Sequence, residues 1–398
     1  MQPGSTNLSS QFNQQLDVSG LRLRLINDEA DSSLVLFSLP AEWLLYKNVE
    51  DRFSATLRVE FAVFSSFSAR QMSDTGSCVF LIDSKPANAT YRQSFRIATP
   101  KGENSILRVS FEDVFRNTTI VRFLNLKLQN RNSDPAYFIT DSIGLPFIGD
   151  QLTLGQKYSF LPVDSSDRMP RTVRCYFRDF PLATLPFRVI DDAVFDMRSD
   201  SSFELQKEQW NLYSFNKPGI YFLQTDTLVK QGLTLKVFSE DYPMVTTAAE
   251  MIEATRYLTT RKEYMALLNS DRKKQDIDGF WLDLGGSQER ARTLIRSYYN
   301  RVQEANRLFT SYMEGWKTDR GMIHIIFGKP NSVYRDDETE QWTYNTMNGF
   351  PDQLFVFRKM NNPFTDNDYA LIRQPVYENY WYMAVDQWRQ GRPFNEIR

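Results

Sequence analysis

In Leu57-Arg58-Val59-Glu60-Phe61-Ala62-Val63 large apolar residues sit at alternate positions with the charges between them, which is the pattern of a strand with one buried and one wetted face. Similar short apolar runs recur at Leu21–Ile26, Leu34–Leu39, Ala55–Phe64, Val79–Ile82, Ile106–Phe111 and Ile120–Leu128. Turn-rich stretches separate them, such as Ser73-Asp74-Thr75-Gly76 and Thr99-Pro100-Lys101-Gly102, so the spacing predicts an antiparallel β-sandwich. The segment Leu145-Pro146-Phe147-Ile148-Gly149-Asp150 reads as a junction, after which a second strand series runs from Lys157 to Phe238. Its clearest hairpin is expected between Trp210–Phe215 and Ile220–Gln224, with Pro218-Gly219 as the central pair of a type II turn.

At Tyr242-Pro243 the apolar period changes from two to 3.6. Thr247 and Glu250 form a capping box ahead of a helix expected to reach Asn269. After Gly285-Gly286, Ser287 caps a second helix with apolar residues at Ala291, Leu294, Ile295, Tyr298, Val302, Ala305, Phe309 and Tyr312. Met322–Phe327 is apolar at nearly every position and reads as a central strand, ended by Gly328-Lys329-Pro330. With Gln341–Asn345 and Leu354–Phe357 it would form a three-stranded meander, and Tyr377–Gln390 a closing helix. The expected order is a polar tether (1–16), a β-sandwich (17–149), a smaller sandwich (150–241) and an α+β domain with helices on a small antiparallel sheet (242–398).

A length of 398 residues fits several cores. The 47 basic and 49 acidic side chains are interspersed, which argues against binding nucleic acid or an anionic bilayer by bulk charge. The 30 Phe, 19 Tyr and 7 Trp favour strand-rich, aromatic cores. Cys78 and Cys175 fall in different expected domains, which gives neither a disulfide framework nor a zinc cluster. No stretch approaches the roughly 18 apolar residues of a membrane-spanning helix, and the start of the chain is polar, without a signal-peptide pattern.

Candidate chemistry concentrates in Gly315-Trp316-Lys317-Thr318-Asp319-Arg320-Gly321. Gly315 is expected to end the long helix in a left-handed conformation and swing the indole of Trp316 beneath it. Thr318 and Asp319 can accept hydrogen bonds from turn amides, Arg320 can fork onto a carboxylate or helix-end carbonyls, and Gly321 relieves crowding. The alternative is that Asp319 and Arg320 line a cleft and bind a partner's polar group. His324, the single histidine, sits among apolar residues, so relays that need an accessible imidazole lose support. Gly285-Gly286-Ser287 lacks the spacing of a phosphate loop. Asp31-Ser32-Ser33, Asp191-Asp192 and Asp336-Asp337-Glu338 lack that of a calcium loop. No catalytic residue, metal or cofactor is assigned. Tyr380, Trp381 and Trp388 read first as a core stripe of the closing helix, with an exposed platform for sugars as the alternative.

The run Gly315, Trp316, Thr318, Asp319, Arg320, Gly321, followed by Gly328-Lys329-Pro330 and by Gln341-Trp342-Thr343-Tyr344, resembles the GWxTD-domain family of the Bacteroidetes and related bacteria. That family is defined by its motif and carries no established activity. The resemblance implies an envelope protein, periplasmic or outer-membrane-associated, whose native N-terminus carried a lipoprotein signal; the alternative is the cytoplasm. The stretch Phe327–Tyr344 is also similar to small lipoproteins of the outer-membrane barrel assembly machinery, which work as binding modules. Phe215-x-x-Pro218-Gly219-x-Tyr221 is similar to immunoglobulin-like modules of secreted bacterial proteins. The expected function is therefore a non-enzymatic interaction or scaffold protein, an accessory of an outer-membrane assembly or secretion complex with protein partners. Alternatives are a carboxylate-dependent hydrolase of glycans or peptides with Asp319 as acid or base, and a carbohydrate-binding protein.

Overall fold

In β4 (Arg52–Phe64) the alternation does what it predicts: Ala55, Leu57 and Val59 are fully buried, while Arg58 and Glu60 point the other way. The structure is a computed structural model describing residues 2–12, 20–29, 32–49, 52–83, 90–98, 105–126, 137–149, 151–162, 170–189, 196, 198–228, 232–345 and 352–394. The turn at Thr99–Gly102, the Asp31 and Asp191-Asp192 positions, Asp150 at the junction and residues 13–19 lie outside the described residues. Two compact units emerge. One holds 1–178, 197–239 and 334–337; the other holds 179–196, 240–333 and 338–398.

The first unit is built from β-sheets. Strands β1 (Arg22–Glu29), β2 (Ser32–Pro40), β3 (Lys47–Val49), β4, β5 (Met72–Ile82), β6 (Thr90–Ala98), β7 (Ser105–Asp113) and β8 (Thr118–Leu126) pair antiparallel. They form one sheet ordered β1-β2-β6 and another ordered β3-β4-β7-β8, with β5 beside β4. Between them lies a core that includes Val35, Phe37, Leu57, Val59, Leu107, Val109 and Phe111.

A second series follows: β9 (Tyr137–Thr140), β10 (Gln151–Thr153), β11 (Lys157–Pro162), β12 (Thr172–Tyr176), β13 (Ser201–Glu204), β14 (Tyr213–Ser214), β15 (Gly219–Gln224) and β16 (Leu233–Phe238). They form sheets ordered β10-β16-β15-β12-β13 and β14-β11-β9 around their own core of Tyr137, Tyr158, Phe160, Val173, Cys175, Tyr221 and Leu235. The hairpin expected at Pro218-Gly219 is not formed. β14 pairs with β11 and β15 with β12 and β16, so Asn216–Gly219 carries the chain from one sheet to the other. Gly219 sits at φ +148, pressed against the Tyr176 carbonyl, and the Tyr221 hydroxyl donates to the Lys217 carbonyl at 2.8 Å.

The second unit is helical with a small sheet. The segment expected as one helix to Asn269 is two: α1 (Ala248–Ala254) and α2 (Arg261–Leu268). Each starts on its own reciprocal capping box, Thr247 with Glu250 and Thr260 with Glu263, so the second box is a second start. Next come α3 (Lys273–Gly285), ended by Gly286 at φ +66, and α4 (Gln288–Phe309), whose Ser287 Oγ accepts from the Arg290 amide. Tyrosines on α4 hold α1: the Tyr298 hydroxyl donates to the Ala254 carbonyl at 2.6 Å and the Tyr299 hydroxyl to the Met251 carbonyl at 2.9 Å.

Met322–Phe327 is not a strand; it belongs to α5 (Asp319–Phe327). A short, uninterrupted apolar run is ambiguous between a central strand and a helix buried on all sides, and the latter holds because every residue from Arg320 to Phe327 is buried. Beyond it, β17 (Ser332–Arg335), β18 (Thr339–Tyr344), β19 (Gln353–Lys359) and β20 (Tyr369–Leu371) are ordered β17-β18-β19-β20, and α6 (Tyr377–Arg389) closes the unit. Tyr380, Trp381 and Trp388 on α6 are buried, so they are core and not a platform for sugars.

Glu263 joins the start of α2 to the end of α6, since its carboxylate accepts from the Thr260 amide at 2.8 Å and from both terminal nitrogens of Arg389, at 3.1 and 2.7 Å. The Arg389 hydrogen bonds, ahead of the Thr260 contacts, hold its carboxyl down to about 2, against a free value of 4.5. A carboxyl lowered in the folded state stabilises fully above its free value and loses that contribution as the pH falls through the folded one. Glu263→Gln is expected to lower the stability of this unit at neutral pH, and the gap to the parent should close between pH 4.5 and about 2. Urea unfolding followed by tryptophan emission measures it; a gap independent of pH would contradict the assignment.

Candidate functional site

The motif begins where two backbones touch. A Cβ on Gly315 would overlap the Ala305 carbonyl on α4, and one on Gly321 would overlap the Gly315 carbonyl. Gly315 is therefore a close-approach residue. It does not end the helix in a left-handed turn as expected: α4 stops at Phe309, and Gly315 opens a 3₁₀ turn over Gly315–Lys317. Asn306, one turn before the end of α4, accepts the Trp316 amide on its Oδ1 at 3.1 Å and gives its Nδ2 to the Pro243 carbonyl. The indole of Trp316 is buried beside Tyr257, whose hydroxyl donates to the Trp316 carbonyl at 3.1 Å.

Thr318 is the N-cap of α5, its Oγ1 accepting the Gly321 amide at 3.0 Å and donating to the Gly315 carbonyl at 2.7 Å. Asp319 follows in the first turn, where a carboxylate suits the helix dipole. Its Oδ2 accepts the Leu371 amide at 2.7 Å and Arg373 Nη1 at 3.1 Å, and its Oδ1 accepts Arg373 Nη2. Both side chains are 9% exposed. Burial pushes the Asp319 carboxyl above the usual carboxylate range, opposed by the Arg373 charge and the Leu371 amide.

Arg320 points elsewhere, into a filled socket. Its Nη2 donates to the carbonyl and Oδ1 of Asn367 at 2.8 and 2.6 Å, and its Nη1 lies 3.3 Å from Glu340 Oε1. The rings of Phe309 and Tyr369 stand 5.2 and 4.2 Å from the guanidinium. Glu340 also accepts the Trp342 indole N–H at 2.9 Å. Along β18, Glu340, Trp342 and Tyr344 share the buried face, with the Tyr344 hydroxyl on the Gly328 carbonyl at 2.8 Å. Gly328, at φ +77, ends α5, and a Cβ there would meet the Arg301 guanidinium. Arg301 caps that end by donating to the carbonyls of Ile325 and Ile326, each at 3.2 Å, and of Phe394 at 2.6 Å. Pro330 is buried just past the turn.

The structure thus brings Gly315, Trp316, Thr318, Asp319, Arg320 and Gly321 into one corner, and sets Gly328, Pro330, Trp342 and Tyr344 around the helix that leaves it. Sequence reading missed Asn306, Arg301, Glu340, Asn367 and Arg373. Two of them left a signal: Arg301 interrupts the apolar stripe between Tyr298 and Val302, and Glu340 shares the alternation of Trp342 and Tyr344. A charge on a buried face calls for a buried partner. His324 lies on α5 with Nε2 2.9 Å from Glu304 Oε2 and its ring edge-on to Phe309. Among the described residues no three His, Cys, Asp or Glu side chains cluster as metal ligands, and no helix is long and apolar enough to cross a membrane.

Chemically, Asp319 has both oxygens engaged and Arg320 has its fork filled. A general acid or base must reach a substrate proton, and neither group has an open side.

Residues 219–390 match the family model of the GWxTD domain. The chain carries a GWxTD domain. The match begins at Gly219, upstream of the period change at Tyr242. No curated protein matches the chain. Two solved structures of glycosyl hydrolase family 2 members from Bacteroides cellulosilyticus, one from strain DSM 14838, are similar to part of it at 9% identity and a TM-score of 0.20. Each likeness covers 35% of this chain and 18 or 19% of the other, so the chain spans under a fifth of either.

The close approaches set the first test. Gly315→Ala or Gly321→Ala should cost about 3 kcal/mol, the upper end for overpacking because backbone has to move. Asp319→Asn should cost about 3 kcal/mol as well, since it leaves the Arg373 cation buried without its counter-charge. Thr318→Ala should cost about 1 kcal/mol. Urea unfolding checks the order; a Gly315→Ala protein as stable as the parent would refute the close-approach role.

Proposed function

We propose that this GWxTD-domain protein is a non-enzymatic interaction or scaffold protein of the cell envelope, an accessory of an outer-membrane assembly that binds protein partners. The observation that carries the reading is the internal engagement of the motif's polar groups. Asp319 is spent on Arg373 and Leu371, Arg320 on Asn367 and Glu340, and Trp342 on Glu340. A motif used up in shaping its own domain supports a role in presentation and binding over one in turnover. The same facts weigh against Asp319 as the acid or base of a hydrolase.

The β-rich cores fit the role of spacers, and we read them as two immunoglobulin-like sandwiches. Support is strongest for the second: β10 runs parallel to β16, β16 pairs antiparallel with β15, and β15 with β12. The Tyr221 hydroxyl reaching the carbonyl four residues back is the tyrosine corner of such sandwiches. Attachment of the chain to the outer membrane, or residence in the periplasm, belongs to the same proposal.

Fractionation of the source organism followed by chemical cross-linking and mass spectrometry tests it. The expected result is recovery with the envelope, cross-linked to one reproducible protein partner. Recovery from the cytosol alone, with no cross-linked partner, would sink the proposal.

A further inference from the structure

Residues 179–196 group with the second unit, although the chain up to Arg178 and from Met197 belongs to the first. The described part of this segment, 179–189, forms no helix or strand. It reads Asp-Phe-Pro-Leu-Ala-Thr-Leu-Pro-Phe-Arg-Val, with Phe180-Pro181-Leu182 on the way in and Leu185-Pro186-Phe187 on the way out. Between its two phenylalanines there is no charged residue. It lies on the motif. The Ala183 amide donates to the carbonyl of Lys317, the middle residue of the motif, at 2.9 Å, and the Gln374 amide donates to the Pro186 carbonyl at 3.2 Å. Arg373, the residue that clamps Asp319, gives its Nη2 to the Thr184 carbonyl at 3.1 Å. At the ends Phe180 stands edge-on to Tyr312 at 4.9 Å between ring centres, and Phe187 packs on Tyr382 at 5.4 Å.

Proteins hold foreign peptides in the same way, by main-chain hydrogen bonds and side-chain anchors at the ends of the bound segment; here a turn closed by the Arg188 amide on the Leu185 carbonyl at 3.1 Å brings Phe187 to its place. Flanking prolines lower the entropy lost on docking, because their backbone is already restrained. The segment is mostly half-buried, Pro186 alone being buried, as for a peptide resting on a surface. The motif also explains the receptor. The Gly315 contact fixes where the Lys317 carbonyl points, and the Asp319 pair fixes the Arg373 guanidinium.

We propose that the GWxTD corner is a docking site for an uncharged, proline-containing peptide with an aromatic residue at each end, filled in cis by residues 180–187 and taken in trans by such a segment of a partner protein. The inference rests on the binding role proposed above and names the chemistry of the partner. A tethered segment competes at an effective concentration on the order of mM, so a free peptide should bind only when the resident one is weakened.

The test uses the full chain carrying Phe180→Ala and Phe187→Ala, which leaves every receptor residue intact, and a fluorescein-labelled peptide with the sequence of residues 179–189. Anisotropy is expected to show the variant binding at least about tenfold tighter than the parent chain. A peptide with proline in place of Ala183, which lacks the amide that reaches Lys317, should bind about tenfold more weakly. A variant that keeps its near-ultraviolet circular dichroism and binds no peptide overturns the proposal. Should the variant not fold, hydrogen exchange on the parent chain decides: an Ala183 amide exchanging far faster than that of Ile325 in α5 supports a releasable segment, and equal protection overturns it. If a cross-linked envelope partner persists while the peptide does not bind, only the docking site fails; if no partner is found, the binding role itself does.

Discussion

The second unit depends on three stretches of backbone meeting at the distance only glycine permits. Gly315 lies against the Ala305 carbonyl of α4, and Gly321 of α5 lies against the Gly315 carbonyl. Once these contacts form, the rest of the corner has little freedom. The Trp316 indole is buried beside Tyr257, Thr318 stands where its hydroxyl caps α5, and α5 runs into the core buried from Arg320 to Phe327. Helices in water are held mainly by the packing of a face; α5 has no solvent face at all, so its place is set by what surrounds it.

The buried charges decide which surroundings those are. Asp319 reaches the amide of Leu371, the last residue of β20, and the Arg373 clamp, while its neighbour Arg320 reaches Glu340 on β18 and Asn367 ahead of β20. Buried ion pairs contribute little net stability over apolar replacements, yet breaking one is costly. Two such pairs from adjacent residues fix the start of α5 against different strands, and Arg301 fixes its end. The motif letters therefore encode helix packing, capping and registration together.

Much of this was legible. Alternation placed β4 and its neighbours, the Thr247 capping box and the Ser287 cap marked two helix starts, and the apolar stripe set α4, while the second box at Thr260 went unread. The motif itself pointed to the domain. What failed shares one cause, the dominance of distant contacts over local pattern. Six apolar residues read as a strand because no periodicity separates a central strand from a helix buried all round. The Pro218-Gly219 turn joins two sheets because Trp210–Phe215 and Ile220–Gln224 find better partners elsewhere. Gly315 has the sequence context of a helix end, but its Cα lies against α4 and its carbonyl is taken by Thr318. The partners of Asp319 lie beyond the reach of any local motif, as Leu371 and Arg373 are 52 and 54 residues further along the chain.

A shaped corner that also holds a segment of its own chain is what supports the binding role proposed above. Its central claim is that the GWxTD residues are structural members of the domain. The most direct measurement is native-state hydrogen exchange of the three amides that the motif network captures: Trp316 on Asn306, Gly321 on Thr318 and Leu371 on Asp319. All three should exchange only through unfolding of the whole unit, with the same free energy as the core of α4. Exchange at the rate of an open loop, with α4 still protected, would contradict it.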